Sequence, residues 1–282
     1  MLMNLILQGS ADLATMQSLA ALASPSRIEP IHDQAWRCVD VDHSAETRKR
    51  VDTASLAARL DATFIEPGLQ LSDFRLLAMD MDSTVITIEC IDEIADMQGL
   101  KPRVAAITEA AMRGEIEFAE SLTRRVALLE GLDAGALQQV YDERLKLSPG
   151  AETLIAAARA AGVKTLMVSG GFTFFTDRVK QRLGLDYSHA NVLEVANGRL
   201  TGKVVDGIVD AEVKKLTVER VCAELGVPTS RAIVMGDGAN DLKMMSVAGL
   251  SVAYRAKPVV RAQAHVALNF SGLDGILALL AQ

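Results

Sequence analysis

Residues 75–84 read RLLAMDMDST, an apolar run that stops abruptly at two aspartates one residue apart. Two later stretches have the same form, VKTLMVSGG at 163–171 and AIVMGDGAND at 232–241. A strand with one wet face alternates apolar and polar residues, whereas a strand covered on both faces is apolar throughout. Helix-like stretches lie between and after these runs, at 151–161, 175–183, 214–225 and 241–248. Buried strands alternating with helices predict an α/β fold built on a parallel sheet. Ligands of such sheets bind beyond the carboxyl ends of the strands. The polar residues that end the three runs are therefore the candidate site.

The spacing outward from the first run is uneven. More than 80 residues separate Asp80 from Val163, far more than one crossover helix needs. The excess, about 91–147, is helical in pattern throughout and reads as a cap inserted after the first core strand. Asn197-Gly198 joins two apolar stretches and predicts a hairpin. Upstream, the order strand (MNLILQ), helix (11–23, stopped by Pro25), strands (27–31 and 36–41), helix (44–60) and strand (62–66) is a ferredoxin-like βαββαβ pattern. Pro67-Gly68 follows as a linker. The expected division is a small α+β unit at 1–70 and an α/β unit at 71–282, which carries the cap.

Composition narrows the function classes. With 29 basic and 36 acidic residues the chain carries a net charge of −7, which argues against a nucleic-acid partner. No stretch approaches the ~18 consecutive apolar residues that span a bilayer. The apolar N-terminus lacks a basic flank and reads as a strand, not a signal peptide. Cys38, Cys90 and Cys222 are isolated, and the four histidines are scattered, so neither a disulfide framework nor a zinc site is expected. A reducing cytoplasm is the expected setting. An acidic chain would still repel an anionic substrate unless positive charge is gathered locally.

Each strand end has its own chemistry. If the first strand ran on to Asp82, alternation would put Asp80 and Asp82 on one side. Two carboxylates so close favour a hard cation, and Asp237 and Asp241 in GDGAND add to the set, which points to Mg²⁺. Ser169-Gly170-Gly171 offers a hydroxyl and unhindered N–H groups at an expected helix start, suited to a phosphate oxygen. No GxxxxGK[ST] occurs, and Asp241 stands where a dinucleotide loop has its third glycine. Taken singly, a DxD is a common solvated turn and SGG a common bend. Their order at three successive strand ends is the signal.

DMDSTV, SGGF, an upstream lysine and GDGAND resemble the four motifs of the haloacid dehalogenase superfamily. More narrowly, DSTVITIECIDEIA, AAMRGEIEFAESLTRRVALL and GDGANDLKMM resemble the phosphoserine phosphatase family, over about residues 75 to 275. The resemblance implies Mg²⁺-dependent hydrolysis of the small molecule O-phospho-L-serine, the last step of serine biosynthesis. It implies Asp80 as nucleophile and Asp82 as general acid and base. Asp80, Asp82 (by its carbonyl) and Asp237 would hold the metal, with Asp241 touching the metal or its water. Ser169, Gly170, Lys214 and Asn240 would hold the phosphoryl oxygens; Lys214 is preferred to Lys215 because it lies 23 residues before Asp237. Glu89 would meet the substrate ammonium and Arg125, rather than Arg124, its carboxylate, with Met112 and Phe118 covering it. The N-terminal unit corresponds to ACT-like regulatory domains but lacks their Asp-x-x-Gly loop, so a packing or homodimer role is expected. Another phosphoester, an alcohol acceptor, or a signalling receiver module are the rival readings; a receiver needs neither Asp82 nor a cap.

Overall fold

The computed structural model describes residues 2–113 and 115–280. Its strands are β1 (Asn4–Gln8), β2 (Arg27–His32), β3 (Ala35–Val39), β4 (Asp61–Ile65), β5 (Leu76–Met79), β6 (Lys164–Phe172), β7 (Tyr187–Ala196), β8 (Arg199–Val205), β9 (Ala232–Gly236), β10 (Leu250–Tyr254) and β11 (Val266–Leu268). Its helices are α1 (Leu13–Ala21), α2 (Ala45–Ala57), α3 (Cys90–Met97), α4 (Lys101–Met112), α5 (Phe118–Ala127), α6 (Gly135–Glu143), α7 (Ala151–Ala160), α8 (Thr173–Leu183), α9 (Ala211–Glu224), α10 (Leu242–Ser246), α11 (Pro258–Arg261) and α12 (Gly275–Leu280).

The second sheet has the order β11-β10-β9-β5-β6-β7-β8, parallel except for β8. Every residue of β5, β9 and β10 is buried, which accounts for their unbroken apolar character. The chain leaves β5 to one side for β6 and later returns to the other side for β9. The ends of these three strands therefore flank the point where strand order reverses, the usual ligand crevice of an open α/β sheet. The predicted Asn197-Gly198 turn is present, with both residues at positive φ (51° and 75°), and pairs Ala196 with Arg199.

Helices α3 to α6 form the insertion. The chain enters and leaves it side by side: Thr87 N–H donates to the Lys146 carbonyl (2.9 Å) and Ser148 N–H to the Val85 carbonyl (2.9 Å). On its far side the insertion leans on the β7–β8 hairpin through Gly131 N–H to the Leu200 carbonyl (2.8 Å) and Leu200 N–H to the Leu132 carbonyl (2.9 Å).

The N-terminal sheet is antiparallel with order β2-β3-β1-β4, as the βαββαβ pattern predicts. Its helices cover one face around Leu5, Leu7, Met16 and Val51. Ile6, Ala35 and Ile65 instead join the large core with Phe74, Leu273 and Ile276. Asp61 fastens the junction, accepting backbone N–H groups of Asn269 (2.7 Å), Phe270 (3.1 Å) and Ser271 (2.8 Å).

Two local expectations are corrected. Strand β5 ends at Met79, so alternation does not set Asp80 beside Asp82. Both aspartates lie instead in a tight turn after the strand, closed by Val85 N–H to the Asp80 carbonyl (3.3 Å) and Ile86 N–H to the Met81 carbonyl (3.0 Å), with Ser83 at φ 55°. Ser169-Gly170-Gly171 is not at a helix start either. It lies inside β6, whose pairing with β7 is irregular between Val168 and Phe172, and α8 begins two residues later.

Candidate active site

Asp80, Asp237 and Asp241 converge from β5 and the loop after β9, with one carboxylate oxygen of each within 4.8 Å of the others. The Lys214 ammonium, fully buried on α9, bonds Asp80 Oδ2 and Asp241 Oδ1, both at 2.8 Å. Three carboxylates against one ammonium leave an excess of two negative charges in a buried place. Such an all-oxygen set fits a hard divalent cation.

The electrostatics follow from that crowding. Burial, reinforced by Asp241, pushes the Asp80 carboxyl well above the ordinary carboxylate range, against the pull of Lys214. Burial, Asp241 and Glu89 raise Asp237 to about 7. Burial alone would lower the Lys214 ammonium, but the carboxylates of Asp241 and Asp80 more than offset it and hold it above its usual value.

Asp82 is set differently. Burial first, then the Glu89 charge, raise its carboxyl to about 8, and the Cys90 thiol and N–H beside it only partly oppose this. Its Oδ1 is buried and has no hydrogen-bond partner among the described residues. A carboxyl so placed keeps a proton at neutral pH and has a free oxygen from which to give it.

The middle strand end lies opposite. A Cβ on Gly171 would sit 2.8 Å from Asp82 Oδ2 and 3.1 Å from Ser169 Oγ, so the bare backbone at 171 is required by close approach. Gly171 N–H donates to the Ser169 hydroxyl at 2.8 Å. Asn191 pins the same stretch: its amide donates to the Gly170 carbonyl (2.7 Å) and its carbonyl oxygen accepts Val209 N–H (2.8 Å).

The cap closes over this stretch. Phe118, the first residue of α5, brings its ring to 3.0 Å from where a Gly170 Cβ would be. Glu89, at the start of α3, accepts the Ser83 hydroxyl at 2.7 Å. Its surface is solvent-exposed, yet burial among core and cap still raises its carboxyl, with Arg125 and Lys257 among the charges that oppose the rise. Arg125, half-buried on α5, is lowered by burial and steadied by Asp92, Glu89 and Asp82. It makes no ion pair among the described residues, unlike its neighbour Arg124, which is exposed and pairs with Glu120.

The structure thus brings together Asp80, Asp82, Glu89, Phe118, Arg125, Ser169, Gly170, Lys214, Asp237 and Asp241. Asn240 stands at the tip of the loop after β9, half-buried, its Oδ1 filling the place where a Gly238 Cβ would be. Met112 ends α4, and its side chain lies outside the described part of the structure. Lys214 and Asp241 touch each other, a pairing the sequence spacing did not suggest. Asp241 also caps its own loop, accepting N–H of Asp237 (3.1 Å) and Gly238 (3.0 Å). Sequence reading missed Asn191, Thr84, whose hydroxyl lies 3.4 Å from Asp237 Oδ1, and Lys257, whose N–H donates to the Asp237 carbonyl at 3.1 Å. Of these only Thr84, inside the DMDSTV run, carried a signal that could have exposed it.

Comparison with known proteins agrees with this geometry. A phosphoserine phosphatase of Polaromonas sp. (strain JS666) is 58% identical over 219 residues, 76% of this chain and 93% of that protein. A HAD family hydrolase from Salmonella enterica serovar Typhi superposes with a TM-score of 0.90 at 33% identity, covering 99% of this chain and 98% of that one. A probable phosphoserine phosphatase from Vibrio cholerae, in unliganded form, gives 0.85 at 35% identity, covering 99% and 86% respectively. Residues 74–249 match the family model of haloacid dehalogenase-like hydrolases, and the chain belongs to that family.

Proposed function

We propose that this chain hydrolyses O-phospho-L-serine to L-serine and phosphate with Mg²⁺, by way of an aspartyl-phosphate on Asp80, at the end of serine biosynthesis. The observation that carries the substrate assignment is the pair Arg125 and Glu89. One cation and one anion, neither engaged in an ion pair among the described residues, lie within electrostatic reach of each other and of Asp82. A substrate with both an ammonium and a carboxylate next to its phosphoester satisfies both. The relatives named phosphoserine phosphatase support the same reading.

In this reading Asp80, held by Lys214, attacks phosphorus, and the bond to the serine oxygen breaks. Asp82 gives its proton to that departing oxygen. It then takes a proton from the water that attacks the phosphoaspartate, so phosphate leaves and Asp80 is restored. Ser169, Gly170 N–H, Lys214 and Asn240 hold the phosphoryl oxygens, and Phe118 and Met112 help exclude water. Asp80, the Asp82 carbonyl and Asp237 would hold Mg²⁺, with Asp241 close enough to steady it or its water; when bound, the ion supplies charge neutralisation to the transferring group. Phosphate-monoester hydrolysis demands accelerations approaching ~10²¹, and general acid–base catalysis alone supplies only ~10²–10⁴, so covalent attack, positioning and charge must carry the rest.

Residues 1–70 are read as an ACT-like unit that packs on, or pairs two copies of, the 71–282 hydrolase unit with its 91–147 cap. The cytoplasm is the setting in which Cys38, Cys90 and Cys222, all free and buried, remain thiols.

The test is phosphate release from O-phospho-L-serine and from a panel of other phosphoesters, with and without Mg²⁺. Phosphoserine is expected to be preferred and the rate to vanish with chelator. Equal rates across the panel would overturn the substrate assignment.

A further inference from the structure

A cleft of about 620 Å³ lies at the junction of the N-terminal unit and the core, lined by Ser10 and Arg59 from one side and by Arg255, Arg261, Asn269 and Phe270 from the other. None of these belongs to the candidate active site. The charged residues of the wall are all arginines, and no acidic residue lines the cleft. Among the described residues none of the three arginines makes an ion pair. Asp61, on the same junction, gives both its oxygens to the N–H groups of residues 269–271 and pairs with none of these arginines. Three guanidinium groups thus line one cleft of a chain whose net charge is −7, a local concentration of positive charge that favours an anion.

The arginines are also held in place. Arg59 lies over the Phe270 ring at 5.5 Å, Arg255 over Tyr254 at 5.3 Å, and Arg261 donates to Asn269 Oδ1 at 3.4 Å. Two of them occupy backbone conformations that suit glycine better: Arg59 has φ 57° and Arg255 φ 46°. Arg59 follows the last turn of α2, the position at which helices commonly end on glycine. Residues kept in such conformations at a cost cluster where chains clamp ligands.

We propose that this cleft binds a small soluble polyanion of the phosphate class, clasped between the N-terminal unit and the core by Arg59, Arg255 and Arg261. Guanidinium forks match phosphate oxygens in geometry as well as charge. The cleft is of ordinary ligand-pocket size, and Ser10 and Asn269 offer neutral hydrogen-bonding groups for the remainder of such a molecule. The proposal is independent of the catalytic reading.

Calorimetric titration of the full chain with methylenediphosphonate, without divalent cation, tests it, with citrate and glycine titrated in parallel. One binding site is expected, weakening as salt is added, with citrate weaker and glycine silent. Arg59→Gly, Arg255→Gly and Arg261→Gln should each weaken binding about tenfold or more, the loss of one charge-assisted contact. The two glycine variants relieve the backbone, so their melting temperatures should not fall below the parent's and their phosphatase rates without the probe should match it. Should Arg261→Gln prove unstable, the glycine variants decide alone. No binding at about 1 mM probe, unchanged affinity in the arginine variants, tighter binding of citrate, or loss of binding in Asp80→Asn but not in the arginine variants would each overturn the proposal.

Discussion

At the scale of the residue, the two aspartates of the first strand end differ because their neighbours differ. Asp80 touches an ammonium, whereas Asp82 has an unpartnered oxygen and a nearby like charge in Glu89. Asp80→Asn should lower turnover roughly 10³-fold or more without unfolding the chain, and Asp82→Asn by ~10²–10⁴; steady-state kinetics with circular dichroism as control reads both. The raised carboxyls have a consequence for stability. A folded-state acid that keeps its proton where the unfolded chain has lost it makes stability fall as pH rises through that window. The window is 3.8 to about 8 for Asp82 and 3.8 to about 7 for Asp237. Metal-free protein should therefore be less stable to urea at about pH 8 than at about pH 5, and Mg²⁺ should stabilise most at the higher pH. A metal-free stability that rises across this range would contradict the electrostatics.

At the scale of the element, the strand ends were legible because strands buried on both faces are apolar without interruption and end visibly. The cap was legible as a helical excess between β5 and β6. What joins the parts was not, because a bulge or a tight turn leaves no periodic trace. Strand β6 carries Ser169 to Gly171 through an irregular pairing fixed by Asn191, a residue 20 positions or more away in sequence from each of them. Gly171→Ala would thrust a methyl to 2.8 Å from Asp82 Oδ2. It should cost about 1–3 kcal/mol by overpacking and, by displacing the acid, about 10²-fold in kcat. On the cap, Arg125→Ala should cost about 10–100-fold in kcat/KM on phosphoserine, the worth of a charged hydrogen bond of about 1.5–3 kcal/mol. A simple aryl phosphate, lacking a carboxylate, should be nearly unaffected. A uniform loss on both substrates would make Arg125 a structural residue.

At the scale of the whole molecule, part of the overall acidity is gathered locally: Asp80, Asp237 and Asp241 converge in a set that suits a cation, with Lys214 bonded to two of them. Global charge spoke against nucleic acid and said nothing dependable of the substrate. The N-terminal unit was legible as a pattern, but its attachment was not, since Asp61 meets residues 269–271 only through folding. Asp61→Ala leaves those half-buried N–H groups without their acceptor and should cost about 1–3 kcal/mol, read from urea unfolding; a neutral result would mean the two units are not fastened there. In the proposed reaction Asp80 attacks phosphorus and carries it as an acyl-phosphate. The direct measurement is acid quenching during turnover of ³²P-labelled phosphoserine, followed by peptide mapping. Label should appear on the peptide holding Asp80, be released by hydroxylamine, and be absent from Asp80→Asn. Full turnover with no acyl-phosphate, or label on another residue, would contradict it.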